Sequence, residues 1–249
     1  MRAGMTDSVP LLELEGVEVS YPNGRKGLDG IDLAIQPGER VVLLGTNGCG
    51  KSTLLRVFNA LTLPGSGTYR FAGRPVNERT LQDRAWQRDF RQRVVLMFQH
   101  PESMLFNPTV RDEIGFGLRH LPAAEQEARI VHWAGLLRLD DLLEAPPFEL
   151  SGGEKQRLCL ACLLAVEPEV LLLDEPTANL DPRTVGWLLE WLRERPVTSV
   201  VATHQMTLVP QLGERIVILS GDHRIVYDSR TAGSPPDQHL LITHGLAHG

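Results

Sequence analysis

The chain has 249 residues, with 25 Lys and Arg against 31 Asp and Glu for a formal net charge of −6, and is 42% apolar and 22% charged. That composition excludes disordered and fibrous classes, and the acidic balance argues against a protein that coats nucleic acid through its phosphates. Three cysteines are too few for a disulfide framework, no apolar run approaches the roughly 20 residues of a membrane span, and the first ten residues hold no signal-like stretch, so a soluble intracellular protein is expected.

Strand-like and helix-like stretches alternate along the chain, the pattern of an α/β fold on a mostly parallel sheet. The β-rich runs at 11–21, 31–35 and 40–44 come first, with a Pro22-Asn23-Gly24 turn after the first of them. A helix follows from Lys51, with Leu54, Leu55, Phe58 and Leu61 on one face, and stops at Pro64-Gly65. Residues 68–93 hold seven arginines against three acids and read as a solvated surface. Residues 94–98 read as a buried strand and 110–165 as helical, with Ile130, Trp133, Leu136 and Leu137 along one stripe. Three further strands are expected at 170–173, 199–203 and 215–219, the last pairing with 224–227 across a Ser220-Gly221-Asp222-His223 turn. The organisation is therefore one domain over 9–230, its β-containing parts at 9–98 and 166–230 and a helical subdomain inserted at 99–165. From 231 to 249 the chain is Pro-, Gly- and His-rich, and a flexible tail is expected.

Gly45-Thr46-Asn47-Gly48-Cys49-Gly50-Lys51-Ser52 lies between an apolar strand and the start of a helix and matches the P-loop pattern. Its glycines let backbone N–H groups curl round phosphate oxygens, and the helix N-terminus adds partial positive charge. In such a loop Lys51 reaches the β- and γ-phosphates and the Ser52 hydroxyl ligates Mg²⁺. Leu171-Leu172-Leu173-Asp174-Glu175 fits the companion strand, with Asp174 assigned to Mg²⁺ and Glu175 to polarising the attacking water. Two adjacent acids at the end of an apolar strand repel unless a cation or proton sits nearby. Apolar strands ending at Gly45, Gln99, Asp174 and His204 point to one shared site, because ligands of open α/β sheets sit beyond the carboxyl ends of the strands.

Ser151-Gly152-Gly153-Glu154 is a capping box, yet its glycines cost on the order of 1 kcal/mol each in a first helical turn. Two bare glycines there leave N–H groups open to a close-approaching anion. The sequence thus carries two anion-binding helix starts.

With these motifs in this order and spacing, together with Asn179-Leu180-Asp181, the chain resembles the ATP-binding subunit of ABC transporters from about residue 11 to 228. The resemblance implies an α/β fold with a P-loop NTPase (RecA-like) core, an antiparallel β subdomain and an inserted helical subdomain, and ATP and Mg²⁺ as cofactors. It implies that Tyr21 stacks on adenine, that the loop from Gly45 through Thr53 holds the nucleotide, and that Gln99 senses Mg²⁺ and faces a membrane partner. Glu175, His204 and Gln99 form the catalytic set, with His204 on the γ-phosphate. Two subunits pack head to tail, so that Ser151, Gly152, Gly153 and Glu154 of one complete the site of the other, and Asp181 links the sites. Both half-sites are intact in one chain, so a homodimer is expected. Two departures stand out: Gln205 follows the histidine where the family usually has an acid, and Cys49 inside the loop suggests sensitivity to thiol reagents.

Residues 98–117 are similar to the segment after the glutamine in energy-coupling-factor transporters, including cobalt and nickel importers. That likeness implies import of such a cation or of a vitamin, a transmembrane coupling protein and a substrate-binding membrane protein as partners, no nucleic acid, and a place on the cytoplasmic face of the membrane. Met104, Leu105 and Phe106 are expected to offer an apolar groove to the coupling protein. The tail histidines His239, His244 and His248 suit a transition metal but read as incidental, and Cys159 and Cys162 as small core positions. Three rival readings fit the sequence less well. A DNA-repair or chromosome ATPase needs long coiled coils between the Gln99 and Ser151 motifs, and a ribosome-associated factor typically needs two cassettes. A regulatory module that binds ATP without turnover has no use for Glu175 and His204.

Overall fold

The computed structural model describes residues 9–233 and 236–246. The chain opens with an antiparallel pair, β1 (Leu12–Ser20) and β2 (Lys26–Ile35), and continues into β3 (Arg40–Leu44) and helix α1 (Lys51–Phe58). A second hairpin follows, β4 (Ser66–Phe71) and β5 (Arg74–Pro75), then α2 (Glu78–Gln82), α3 (Arg84–Arg93) and β6 (Val94–Met97). The helical block comprises α4 (Val110–Phe116), α5 (Ala123–Leu136) and α6 (Gly152–Ala165). The remainder is β7 (Val170–Asp174), α7 (Pro182–Glu194), β8 (Thr198–Ala202), α8 (Val209–Leu212), β9 (Arg215–Leu219), β10 (Ile225–Asp228), α9 (Ser229–Ala232) and α10 (Gln238–Thr243).

Among the described residues two sheets result, one of order β2-β1-β4-β5 and one of order β10-β9-β3-β8-β7-β6. In the second, β9, β3, β8, β7 and β6 run parallel and β10 is an antiparallel edge. Strands β3, β7 and β8 are buried along nearly their whole length because both faces of this sheet are covered. Val41 and Leu43 face a core shared with the antiparallel sheet, α1 and Phe90 of α3. Val42 and Leu44 face the opposite core, built by α4 to α8. Each fully buried Val or Leu contributes roughly 1.5–3 kcal/mol relative to exposure, so the two cores clamp the sheet from both sides.

Two expectations need correction. The arginine-rich run 68–93 is not only solvated surface. Leu12 pairs with Phe71 across β1 and β4, and Phe90 packs edge-on against Phe71 and stacks on Trp86 with ring centroids 5.2 and 5.1 Å away. Arg91 reaches back to α1, donating to the Asn59 Oδ1 at 2.9 Å and the Ala60 carbonyl at 3.3 Å, where a cation complements the carbonyl end of the helix dipole. The tail, expected to be flexible, carries α10, capped by the Asp237 side chain on the Leu240 N–H at 2.7 Å. Leu240, Leu241 and Leu246 pack against the helical-side core, which is what orders a six-residue helix too short to persist alone.

Candidate functional site

The carboxyl ends of the parallel strands open onto a cavity of about 550 Å³. Its floor is the loop between β3 and α1, and the close packing there requires glycine. Gly45 has φ +151°, and a Cβ there would meet the Leu219 carbonyl at 2.7 Å. Gly50 has φ +114°, and its Cβ would meet the Gly27 carbonyl at 2.5 Å. Lys51 is buried, and its ammonium donates to the Gly45 carbonyl at 2.6 Å and the Thr46 carbonyl at 3.2 Å. Asn47, Gly48, Gly50, Lys51, Ser52 and Thr53 all line the cavity. Cys49 does not. It lies buried beneath the loop, where burial pushes its thiol above the usual range although Lys51 pulls it down. The expected sensitivity of Cys49 to thiol reagents is therefore corrected: reactivity needs an accessible thiolate.

Asp174 and Glu175 end β7 inside the cavity wall, both buried. Burial raises the Asp174 carboxyl, and the neighbouring Glu175 charge adds to this, while a hydrogen bond with Ser52 and the charges of Lys51 and Arg56 pull it down. A buried carboxylate beside a serine hydroxyl is a hard oxygen donor set that fits Mg²⁺. Glu175 sits at φ +51°, a left-handed conformation costing on the order of 1 kcal/mol for a residue with a side chain. Its N–H donates to the Ala202 carbonyl at 2.9 Å, while its carboxylate accepts from the Thr203 hydroxyl at 3.3 Å and from His204 Nδ1 at 2.8 Å. The end of β8 thus holds the carboxylate in place. His204 is itself 66% exposed and meets the cavity through Glu175.

Tyr21 closes one side, its hydroxyl 2.8 Å from Thr53 Oγ1, and exposed Gln99 lies on the rim. The Ser151 turn stands apart and does not line the cavity. Ser151 and Glu154 cap α6 reciprocally, the Ser151 N–H donating to Glu154 Oε2 at 2.8 Å. Gly152 has open space where a Cβ would stand, and a Cβ on Gly153 would stand 3.0 Å from the Asn179 carbonyl. Asp181 likewise lies outside the cavity and caps α7 through the Arg183 and Thr184 N–H groups at 3.0 and 3.1 Å. Within one chain, then, the Gly45–Ser52 loop and the Ser151 turn do not share the cavity. The sequence reading missed Asn23, Arg25, Lys26 and Gly27, which also line the cavity. The visible signal was the two cations directly after the Pro22-Asn23-Gly24 turn.

Among the described residues no group of three or more His, Cys, Asp or Glu could hold a metal; His248 lies outside the described residues. Met104 and Leu105 pack inward on the helical core, contrary to the expected apolar groove, whereas Phe106 is 66% exposed. No helix among the described residues is long and apolar enough to cross a membrane.

A protein-family profile described as ABC transporter matches residues 28–178. The nickel import ATP-binding protein NikO of Rhodobacter capsulatus is 42% identical over 218 residues, covering 84% of this chain and 85% of that protein. The structure of cbiO1 from Clostridium perfringens, described as part of the ABC transporter complex cbiONQ, aligns with a TM-score of 0.74 at 30% identity, covering 94% of this chain and 93% of that one. The ATP-binding cassette MJ0796, dimeric and bound to ADP and Pi, aligns with a TM-score of 0.77 at 28% identity over 87% of this chain and 97% of that one. The chain belongs to the ABC transporter family: it is an ATP-binding subunit that hydrolyses ATP to drive transport.

Proposed function

We propose that this ABC-family ATPase powers an importer of the energy-coupling-factor type for a transition-metal cation, cobalt or nickel. The observation that carries the enzymatic part is the β7 terminus, where buried Asp174 and Glu175 stand over the Lys51 loop. The likeness to the nickel import protein NikO supports the cation. The domain over 9–230 acts as the working unit, its inserted helical part at 99–165 facing the membrane partners.

The loop amides and Lys51 would bind the phosphates, and Tyr21 would cover the base. Ser52 and Asp174, with Gln99 on the rim, would hold Mg²⁺, which when bound neutralises phosphate charge. Glu175 would orient the attacking water and accept its proton at a carboxylate oxygen, while His204 braces that carboxylate through its 2.8 Å contact and turns toward the γ-phosphate. The exposed Ser151–Glu154 turn and Asp181, unused by their own cavity, would complete the site of a second copy. The membrane coupling protein and the cation-binding membrane protein would complete the assembly.

Glu175→Gln tests this reading. The variant keeps ATP affinity and loses at least about a hundredfold of turnover, the share of a positioned base, and in ATP it elutes from size exclusion as a dimer. Wild-type turnover in the variant removes the assigned base, and no ATP-dependent shift at high concentration removes the shared site.

A further inference from the structure

We infer that Arg25 is a phosphate-binding residue of the nucleotide site, a second cation beside the Lys51 loop. The inference rests on the site being a nucleotide site.

The turn between β1 and β2 is closed by its own hydrogen bonds. The Gly24 N–H donates to the Tyr21 carbonyl and the Tyr21 N–H to the Arg25 carbonyl, both at 2.9 Å, and the Arg25 N–H donates to Asn23 Oδ1 at 3.1 Å. It is also pinned to the loop below. Tyr21 bonds Thr53, a Cβ on Gly27 would meet Tyr21 Cε2 at 2.9 Å, and the Gly27 carbonyl sits against Gly50. Arg25 therefore leaves a rigid base, and its Nη2 lies 3.1 Å from where a Cβ on Gly48 would stand. Gly48 has φ +81°, so the guanidinium lies against a left-handed residue of the phosphate loop.

Charge accounting separates Arg25 from its neighbours. Lys26 also lines the cavity, but Asp29 neutralises it at 2.6 Å. Arg224, behind it, shares the same aspartate at 2.6 Å. Arg25 has no carboxylate partner among the described residues, and its side chain makes no hydrogen bond among them. An unpaired guanidinium beside an anion-binding loop can offer two parallel N–H donors to phosphate oxygens. Arg25 is exposed and lines the cavity, so its guanidinium is accessible to a ligand there.

The test measures ATPase kinetics of Arg25→Gln and Arg25→Lys together with binding of a fluorescent ATP analogue across a salt series. Arg25→Gln raises KM and the analogue's Kd about tenfold, the scale of one charge-assisted hydrogen bond, leaves kcat within about twofold, and flattens the salt dependence. Arg25→Lys recovers part of the affinity because it restores charge without the fork. A merely structural turn residue would alter both variants alike without changing the salt slope. An Arg25→Gln protein with wild-type KM and Kd overturns the inference, and so does one whose loss lies in kcat. Absence of ATP hydrolysis and of analogue binding in the wild-type protein would instead overturn the nucleotide-site reading itself.

Discussion

Asp174→Asn separates the folding cost of the site from its chemistry. Asp174 is 6% exposed at the end of β7, and burial is the largest influence raising its carboxyl, with Glu175 adjacent. A carboxyl whose folded pKa exceeds its unfolded one binds its proton more readily when folded. Stability is therefore lost as pH rises from the ordinary carboxylate range, near 4, through the raised value. The amide removes the charge, keeps the shape and can still bond the Ser52 hydroxyl. Without nucleotide, removing such site strain is expected to stabilise by about 0.5–2 kcal/mol at neutral pH. At roughly 2–4 °C per kcal/mol for a chain of this size, thermal unfolding by calorimetry should rise by a few degrees. The gain should shrink toward about pH 4, where the wild-type carboxyl is itself protonated. Adding Mg²⁺ and ATP reverses the order, because ligand at a hundredfold excess over Kd adds about 2.7 kcal/mol to a protein that binds it and the variant has lost a metal ligand. A variant less stable than wild type without nucleotide, by the same margin at every pH, refutes the argument that this carboxylate is electrostatically strained.

Two further outcomes follow from the same geometry. Cys49 is buried with its thiol raised, so mass mapping after a thiol reagent at neutral pH should find it unmodified until the chain unfolds; labelling of the folded protein that nucleotide protects against would contradict this. Phe106 is exposed and meets Phe116 edge-on at 4.9 Å, on a loop whose Phe106 and Asn107 N–H groups donate to buried Glu113 at 3.0 and 2.6 Å. Phe106→Ser should lower uptake in membranes at least about tenfold while leaving ATP affinity and circular dichroism unchanged. Full uptake by the variant removes the docking role, whereas Leu105→Ser, which cuts into the core, should destabilise the fold.

What could be read from the sequence follows physical locality. Strands β3 and β7 were legible because burial on both faces leaves an apolar run, and the Gly45–Ser52 loop because phosphate chemistry fixes its spacing. Strand β4 was not, since its first residues, Ser66, Gly67 and Thr68, are polar or small and its partner β1 lies some fifty residues earlier. Gly67 was the available sign. It stands at φ +80° with no room for a side chain against the Gly16 carbonyl, and a glycine inside a strand marks such a close approach. Helix α10 escaped because its stability comes from Leu240 and Leu241 meeting a distant core, and not from its own short pattern. The cations after the first turn make the same point most sharply. Lys26 and Arg25 are adjacent in sequence and both face the cavity. Lys26 finds an acid three residues along at Asp29, so its charge is spent within the fold. Arg25 finds none among the described residues, and its charge remains available to a ligand. Only the placement of neighbouring carboxylates separates the two, and residue type alone does not encode that placement.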